Sequence, residues 1–337
     1  MKQLKENQFT WLVTGAAGFI GSHLCENLLH LNQIVIGMDD LSSGRKENVI
    51  ELTGKLPQHQ RNNWTFALSD IRDLSACHRV MKNVDFVLHH AAIASVPYSI
   101  KAPLHSHAVN LGGFLNILVA AKEAGVKRVV YASSSAIYGD CGDELKEESN
   151  VGSLLSPYAA DKYANEKYAK MFSQCYGLET IGLRYFNIFG PRQDPNGPYA
   201  AVIPIWINAA INKQPFIING DGQNTRDFCF VDNVVQVNLL AALSENSLAT
   251  SESFNVASGT TISLMQLYHY IAKEFGYNPP ILYQKERPGD IRYSAASINK
   301  AERLLEFVPN TFFLNGLQKT IGWYKYRYKK IQERVFG

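Results

Sequence analysis

The segment Val13-Thr14-Gly15-Ala16-Ala17-Gly18-Phe19-Ile20-Gly21 joins a short apolar run, Trp11-Leu12-Val13, to a stretch with helical spacing from about Ile20 to Leu31. Strand, glycine turn and helix in that order build a site for an anion. One glycine lets the backbone turn tightly, the next lets a pyrophosphate reach the main chain, and the third lets helix and strand pack closely. The bare N–H groups and positive end of the helix then hold the anion. The spacing is G-x-x-G-x-x-G, a variant of the G-x-G-x-x-G dinucleotide turn. Gly15, Gly18, Phe19, Ile20 and Gly21 are therefore expected against a nucleotide. Glycine turns also occur for structural reasons alone, so the flanking chain decides.

Working outward, Ile34–Met38 reads as a second strand ending at Asp39-Asp40, roughly 20 residues beyond the turn, where an acid bonds the adenosine ribose hydroxyls. A carboxylate there repels a 2′-phosphate, which favours NAD over NADP; Arg45 weakens that preference slightly. Asp70, Ile71, Ala91 and Ala92 follow later strand positions and are expected to line adenine and ribose, and Ser42 and Asn110 complete the cofactor-side set. The His89-His90 pair reads as strand-end packing. Further strands are expected at Phe86–Leu88, Arg128–Ala132 and Thr180–Arg184, with helices near Asn110–Ala124 and over Pro157–Tyr176. Strands alternating with helices imply an α/β fold: a Rossmann-type doubly wound parallel sheet. After about Asn187, prolines and glycines crowd together, which predicts a smaller, loop-rich α/β lobe. The expected division is 1–186 for the NAD-binding domain, with a return strand near 253–257, and 187–337 mainly for the substrate lobe.

At 337 residues and 46% hydrophobic content the chain can bury a large core without staples. A net charge of +3 is too mild to argue for nucleic acid. The five cysteines, Cys25, Cys77, Cys141, Cys175 and Cys229, are odd in number and widely spaced, which argues against disulfides and metal and fits the cytoplasm. Lys2 and Lys5 precede the apolar stretch from Phe9, faintly like a signal peptide, but the glycines at 15, 18 and 21 fit a strand and turn better. No apolar run reaches the ~18 residues of a membrane span.

Tyr158-Ala159-Ala160-Asp161-Lys162 places a phenol and an ammonium one helical turn apart, with Ser156 and Pro157 as cap and first-turn residues. A nearby ammonium and a positive nicotinamide ring each favour phenolate, which makes Tyr158 a usable base. Such a pair is common on solvated helices. Its place after a dinucleotide turn and after Ser133-Ser134-Ser135, which is expected just past the strand ending at Ala132, gives it meaning.

With these features together the chain resembles the extended short-chain dehydrogenases/reductases, and among them the nucleotide-sugar 4-epimerases, most closely bacterial UDP-N-acetylglucosamine 4-epimerases of surface-polysaccharide synthesis. The resemblance rests on Thr14–Gly21, Ser133–Gly139, Tyr158–Lys162, Leu183–Asn187, Thr225–Phe228 and Arg287–Asp290. It implies NAD as cofactor and C4 epimerisation of a UDP-sugar, UDP-GlcNAc/UDP-GalNAc first, through a transient 4-keto sugar. Tyr158, Lys162 and Ser134 would be catalytic. Ser95, Ser134 and Ser135 would meet the sugar; Asn187, Arg226 and Arg287 the diphosphate; Asp290 the uridine ribose; and Asn219, Ala201 and Val202 the uracil side. The resemblance further implies a homodimer built on helices 110–124 and 157–176.

Other branches differ by residue. Dehydratases carry an acid pair where this chain has Ser135-Ala136. Uronate enzymes place an arginine in the loop that here reads Ser95-Val96-Pro97-Tyr98. Ser294, where glucose-restricted epimerases carry tyrosine, leaves room for a 2-acetamido group, although Tyr293 could refill it. UDP-glucose or UDP-uronate 4-epimerisation remains the rival within catalysis. A dinucleotide-sensing protein is the rival outside it, and such proteins commonly lose the Tyr-x-x-x-Lys pair.

Overall fold

The computed structural model of the chain describes residues 2–142, 145–196, 200–286 and 292–336. Its centre is a parallel sheet of strands β1 (Thr10–Thr14), β2 (Ile34–Asp39), β3 (Trp64–Leu68), β4 (Phe86–His89), β5 (Arg128–Ser134), β6 (Glu179–Tyr185) and β7 (Ser253–Val256). Their spatial order is β7-β6-β5-β4-β1-β2-β3. The winding reverses between β1 and β4, and open sheets of this kind bind ligands beyond the carboxyl ends of strands at such a reversal.

Period-2 alternation sends neighbouring side chains of each strand to opposite faces. Trp11 and Val13 pack with Leu24 and Leu28 of α1 (Phe19–His30) and with Val234 and Val237 of the later helix Val231–Leu243. Leu12 faces the other way, with Phe114, Ile117 and Leu118 of α2 (Phe114–Ala124) and Phe172 of α3 (Pro157–Tyr176). Both faces are thus dry, which is why most strands read as continuous apolar runs. β3 is the exception. It lies at the sheet edge with no fully buried residue, although Phe66-Ala67-Leu68 is apolar.

Ser156 Oγ accepts from the Ala159 N–H at 3.1 Å, Pro157 occupies the first turn, and Gly177 ends α3 with φ 71°. The expected helix from Asn110 begins differently: Ala108–Gly113 is a π-helical segment leading into α2. A Cβ on Gly113 would lie 2.5 Å from Ile71 Cδ1, so the wide turn lets the backbone close over that side chain. β5 also runs past Ala132 through Ser134, so two of the three serines are strand residues.

The second lobe has its own core, in which Phe189, Trp206, Phe216, Phe228 and Phe230 gather with Phe313 and Leu317 of the C-terminal helix Phe313–Phe336. Its small sheet has the order Thr261–Ser263, Thr225–Asp227, Tyr293–Ala296, Leu145–Lys146. A strand from before residue 187 therefore serves the second lobe, while β7 from after it serves the first. Among the described residues no helix is long and apolar enough to cross a membrane.

Leu118 is fully buried between α2 and the sheet. Leu118→Ala is expected to lower the unfolding free energy by about 2–5 kcal/mol, measured by urea denaturation.

Candidate active site

The glycine turn fits its expected parts. Gly15 has φ +70°, and a Cβ there would lie 2.8 Å from the His90 carbonyl and the Ala91 nitrogen. A Cβ on Gly21 would lie 2.0 Å from the Gly15 carbonyl oxygen. Gly18 is the N-cap of α1, and no side chain caps that end, so its N–H groups remain available to an anion. The turn is pinned from β2: Gly15 N–H donates to the Met38 carbonyl at 2.8 Å, and Ala17 N–H to Asp39 Oδ2 at 3.0 Å. Asn48, which the sequence reading did not single out, donates to the Ala17 carbonyl at 2.8 Å.

A cleft of about 420 Å³ opens in front of this turn. Gly15, Gly18, Phe19, Ile20, Gly21, Asp39, Asp40, Ser42, Asp70, Ile71, Ala91 and Ala92 all line it. Burial raises the Asp39 carboxyl, while N–H bonds from Leu41 and Ala17 pull it down. Asp40 takes the Ser42 N–H and hydroxyl at 2.9 and 2.6 Å. Asp70 is bridged to Arg72 at 2.5 Å, and that bond holds its carboxyl below the usual range despite some burial. Uncapped helix donors, a backbone open at glycine and acids at the end of β2 suit the pyrophosphate and ribose of a dinucleotide. Asn110 does not face this cleft. Its amide accepts from the Ile93 N–H at 2.8 Å and donates to the Ile93 carbonyl and Ser106 Oγ at 3.1 Å, shaping the chain after β4 from within. The two histidines divide: His89 bonds Thr14 Oγ1 at 2.8 Å inside the sheet, whereas His90 lines the cleft and meets the Tyr185 hydroxyl at 2.8 Å.

Ser134, Tyr158 and Lys162 line the same cleft. Lys162 is 2% exposed, donates to the Ala132 carbonyl at 2.8 Å, and has its Nζ 5.9 Å from the Tyr158 ring centre. Burial pushes its ammonium down to about 8, while the Asp161 carboxylate pulls the other way. Asp161 itself is paired to His107 at 2.8 Å. Tyr158 departs from expectation. Burial raises its phenol, a hydrogen bond with Ser134 lowers it, and the ammonium is directed at a carbonyl. The polypeptide alone thus keeps Tyr158 protonated at neutral pH.

Behind the trio lies a buried polar network. Ser133 Oγ donates to Glu166 Oε1 at 2.6 Å, and Arg184 grips both oxygens of Glu166 at 2.9 and 2.8 Å. Arg184 also donates to the Tyr138 hydroxyl at 3.0 Å. Glu166 is one turn beyond Lys162 on α3, so the network fixes that helix against β5 and β6. The strand pleat separates the serines' roles: Ser133 anchors and Ser134 faces the cleft.

The chain leaving β6 leads to a second cleft, of about 350 Å³, lined by Asn187, Ala201, Val202, Asn219, Arg226 and Phe228 among others. Asn187 holds φ +30° and donates to the Asp227 carbonyl at 3.2 Å. Asp227 is 1% exposed and is held by the Ser258 and Gly259 N–H groups at 2.7 and 3.0 Å. Arg226 is the charged side chain among the described lining residues, and its Nη1 donates to the Thr225 carbonyl at 2.9 Å. Ser294 pairs with Arg226 across neighbouring strands. Ser95 and Ser135 line neither cleft: Ser95 caps the helix Val96–Lys101, accepting from Tyr98 N–H at 3.1 Å, and Ser135 opens the 3-10 turn Ser135–Tyr138. Arg287 and Asp290 lie outside the described residues. Tyr185, within the Leu183–Asn187 stretch, also lines the first cleft, as do Arg192 and Asp194, which reach it from beyond β6 without a motif of their own.

A doubly wound sheet whose strand ends bring an uncapped helix, a ribose-directed acid and a Tyr–Lys pair into one cleft defines a dinucleotide-dependent enzyme. Residues 11–257 match the NAD dependent epimerase/dehydratase family, and the chain belongs to that family, with NAD as its cofactor. It is 35% identical to a putative UDP-glucose 4-epimerase of Methanocaldococcus jannaschii, over 93% of this chain and 98% of that one. Among solved structures it resembles the UDP-N-acetylglucosamine 4-epimerase of Methanobrevibacter ruminantium in complex with UDP-N-acetylmuramic acid: TM-score 0.88, 37% identity, 95% of this chain and 99% of that one. It also resembles the Thermus thermophilus UDP-glucose 4-epimerase complex with NAD: TM-score 0.82, 34% identity, 94% and 99% coverage.

Glu166→Ala leaves the Arg184 guanidinium buried without its partner and is expected to cost about 3–5 kcal/mol of stability in denaturant titrations. Lys162 supplies a pH test. Its folded pKa of about 8 lies below the ordinary lysine value of 10.5, so the fold binds fewer protons than the unfolded chain between these values. The destabilisation from burying the ammonium is full below pH 8 and fades as pH rises toward 10.5. In nucleotide-free protein, the advantage of Lys162→Met over wild type in unfolding free energy should therefore shrink across that window.

Proposed function

We propose that the protein inverts carbon 4 of a UDP-linked sugar, with UDP-GlcNAc/UDP-GalNAc as the preferred pair. The observation that carries this reading is the convergence of Ser134, Tyr158 and Lys162 in the cleft of the glycine turn. Bound NAD supplies a reversible hydride acceptor there. Tyr158 takes the 4-hydroxyl proton as the C4 hydride leaves, and Ser134 bonds the same oxygen. The Ser134 oxygen accepts the Ala136 N–H at 3.1 Å, and its hydroxyl is hydrogen-bonded with Tyr158, so the two side chains meet the sugar oxygen together. Lys162 keeps positive charge beside the phenol. The 4-keto sugar then turns about its diphosphate link, takes the hydride back on its other face, and recovers the proton from Tyr158.

That turn demands a firm hold on UDP and a loose hold on the hexose. Asn187 and Arg226 suit the diphosphate, and Ala201, Val202 and Asn219 the base, with Arg287 and Asp290 assigned to the same nucleotide. Ser294 beside Arg226 supports room for the acetamido group, as does similarity to the M. ruminantium enzyme. The free cysteines fit a cytoplasmic enzyme. Tyr168, Met171 and Tyr176 leave exposed ring and thioether surface on α3, which suits pairing with a second subunit.

Incubation with UDP-GlcNAc and no added NAD is expected to yield UDP-GalNAc. A panel adding UDP-glucose and UDP-glucuronate ranks the sugars, and faster turnover of either would overturn the N-acetyl preference. Tyr158→Phe should reduce turnover by at least about 10³-fold while the protein still carries dinucleotide; a normal rate would remove Tyr158 as the base.

A further inference from the structure

An arginine near the acids that end β2 works against NAD selectivity, because a guanidinium in this region accommodates the 2′-phosphate of NADP. Arg45 has that position. It follows Gly44, where a Cβ would lie 2.7 Å from Asp39 Oδ1, and its N–H is tied to the Ala17 carbonyl at 3.0 Å. Both Arg45 and Asp39 line the nucleotide cleft.

The Arg45 guanidinium is already engaged. Its Nη2 lies 2.5 Å from Oδ1 of Asp194, which reaches the same cleft from the segment following Ile188–Phe189. That segment is anchored on α1. Arg192, 4% exposed, binds Glu26 at 2.5 Å and Ser22 Oγ at 3.4 Å, and His23 meets the Pro191 carbonyl at 3.0 Å. Asp194 Oδ1 also accepts the Asn196 N–H at 2.9 Å. Partial burial raises the Asp194 carboxyl, but the Arg45 and Asn196 bonds outweigh it, and Arg45 and Arg327 add favourable charge. The carboxylate therefore stays ionised at neutral pH and is held in place by its anchored backbone. The other guanidinium lining the cleft, Arg192, is likewise committed, to Glu26.

We propose that Asp194 is a cofactor-specificity residue: by occupying Arg45 it withholds that guanidinium from a 2′-phosphate and keeps the cleft selective for NAD over NADP. Asp39 and Asp40 repel the phosphate directly, and Asp194 disarms the neighbouring cation that would offset them. The inference rests on dinucleotide binding in this cleft and not on the identity of the sugar.

The test is competitive binding. Purified protein is equilibrated with defined mixtures of NADH and NADPH, separated from free nucleotide, and its bound fraction quantified. In Asp194→Asn, the bound NADPH:NADH ratio should rise about tenfold over wild type, the scale of one partly exposed charge-assisted contact. Adding Arg45→Met to that background should cancel the gain. Asp194→Ala is run beside it, so the result does not hang on one variant. A ratio unchanged in both Asp194 variants overturns the proposal, as does a gain that survives removal of Arg45. NADH binding in the same samples reports on the cleft separately.

Discussion

The constraint on which the nucleotide cleft depends is the approach of α1 to the turn that precedes it. A methyl group at position 21 would end 2.0 Å from the Gly15 carbonyl oxygen, so no side chain larger than hydrogen permits this packing. The approach sets the direction of α1 and aims its uncapped N–H groups across the end of β1. Gly15, with its left-handed backbone, lets the chain pass beside His90 and Ala91 at the end of β4. The two strands flanking the winding reversal are thereby locked to one turn, and the nucleotide cleft opens over it.

The catalytic side is held by different means. Lys162 makes one hydrogen bond, to a carbonyl of β5, and its burial is tolerated because α3 is anchored one turn further on by the Glu166–Arg184 pair. A buried ion pair of this kind costs much to desolvate and gives little net stability. Its value here is geometric: Ser133, Glu166 and Arg184 fix β5, α3 and β6 relative to one another, and Ser134, Tyr158 and Tyr185 project from those elements into the cleft. The phenol remains protonated at neutral pH in the bare polypeptide, because burial raises it more than the Ser134 hydrogen bond lowers it.

How far the sequence could be read follows the same physics. Strands buried on both faces announce themselves as apolar runs, and β1, β2, β4, β5 and β6 were visible that way. α3 was visible because Ser156 and Pro157 mark its start. β3 is not singled out, although Phe66-Ala67-Leu68 is apolar: it lies at the sheet edge, and none of its residues is fully buried. The π-helical entry to α2 depends on what Gly113 packs against, and that neighbour, Ile71, is remote in sequence. In the site, motif residues placed the glycine turn and the Tyr–Lys pair. Asn110 and Ser95 carry polar groups in suggestive places, yet their bonds go to loop backbone and a helix end, and Ser135 opens a 3-10 turn outside both clefts. Arg45 is legible beside Asp39-Asp40, but its partner Asp194 arrives from far along the chain, and no spacing rule connects them.

The exchange of strands between the lobes has a consequence for how this protein can be divided. Leu145–Lys146 completes the small sheet, and Ser253–Val256 completes the large one. A gene cut at the apparent boundary near residue 187 would give two polypeptides, each holding a strand the other lacks and each with an open edge inviting aggregation. Modular recombination with other nucleotide-sugar lobes would have to carry both strands along.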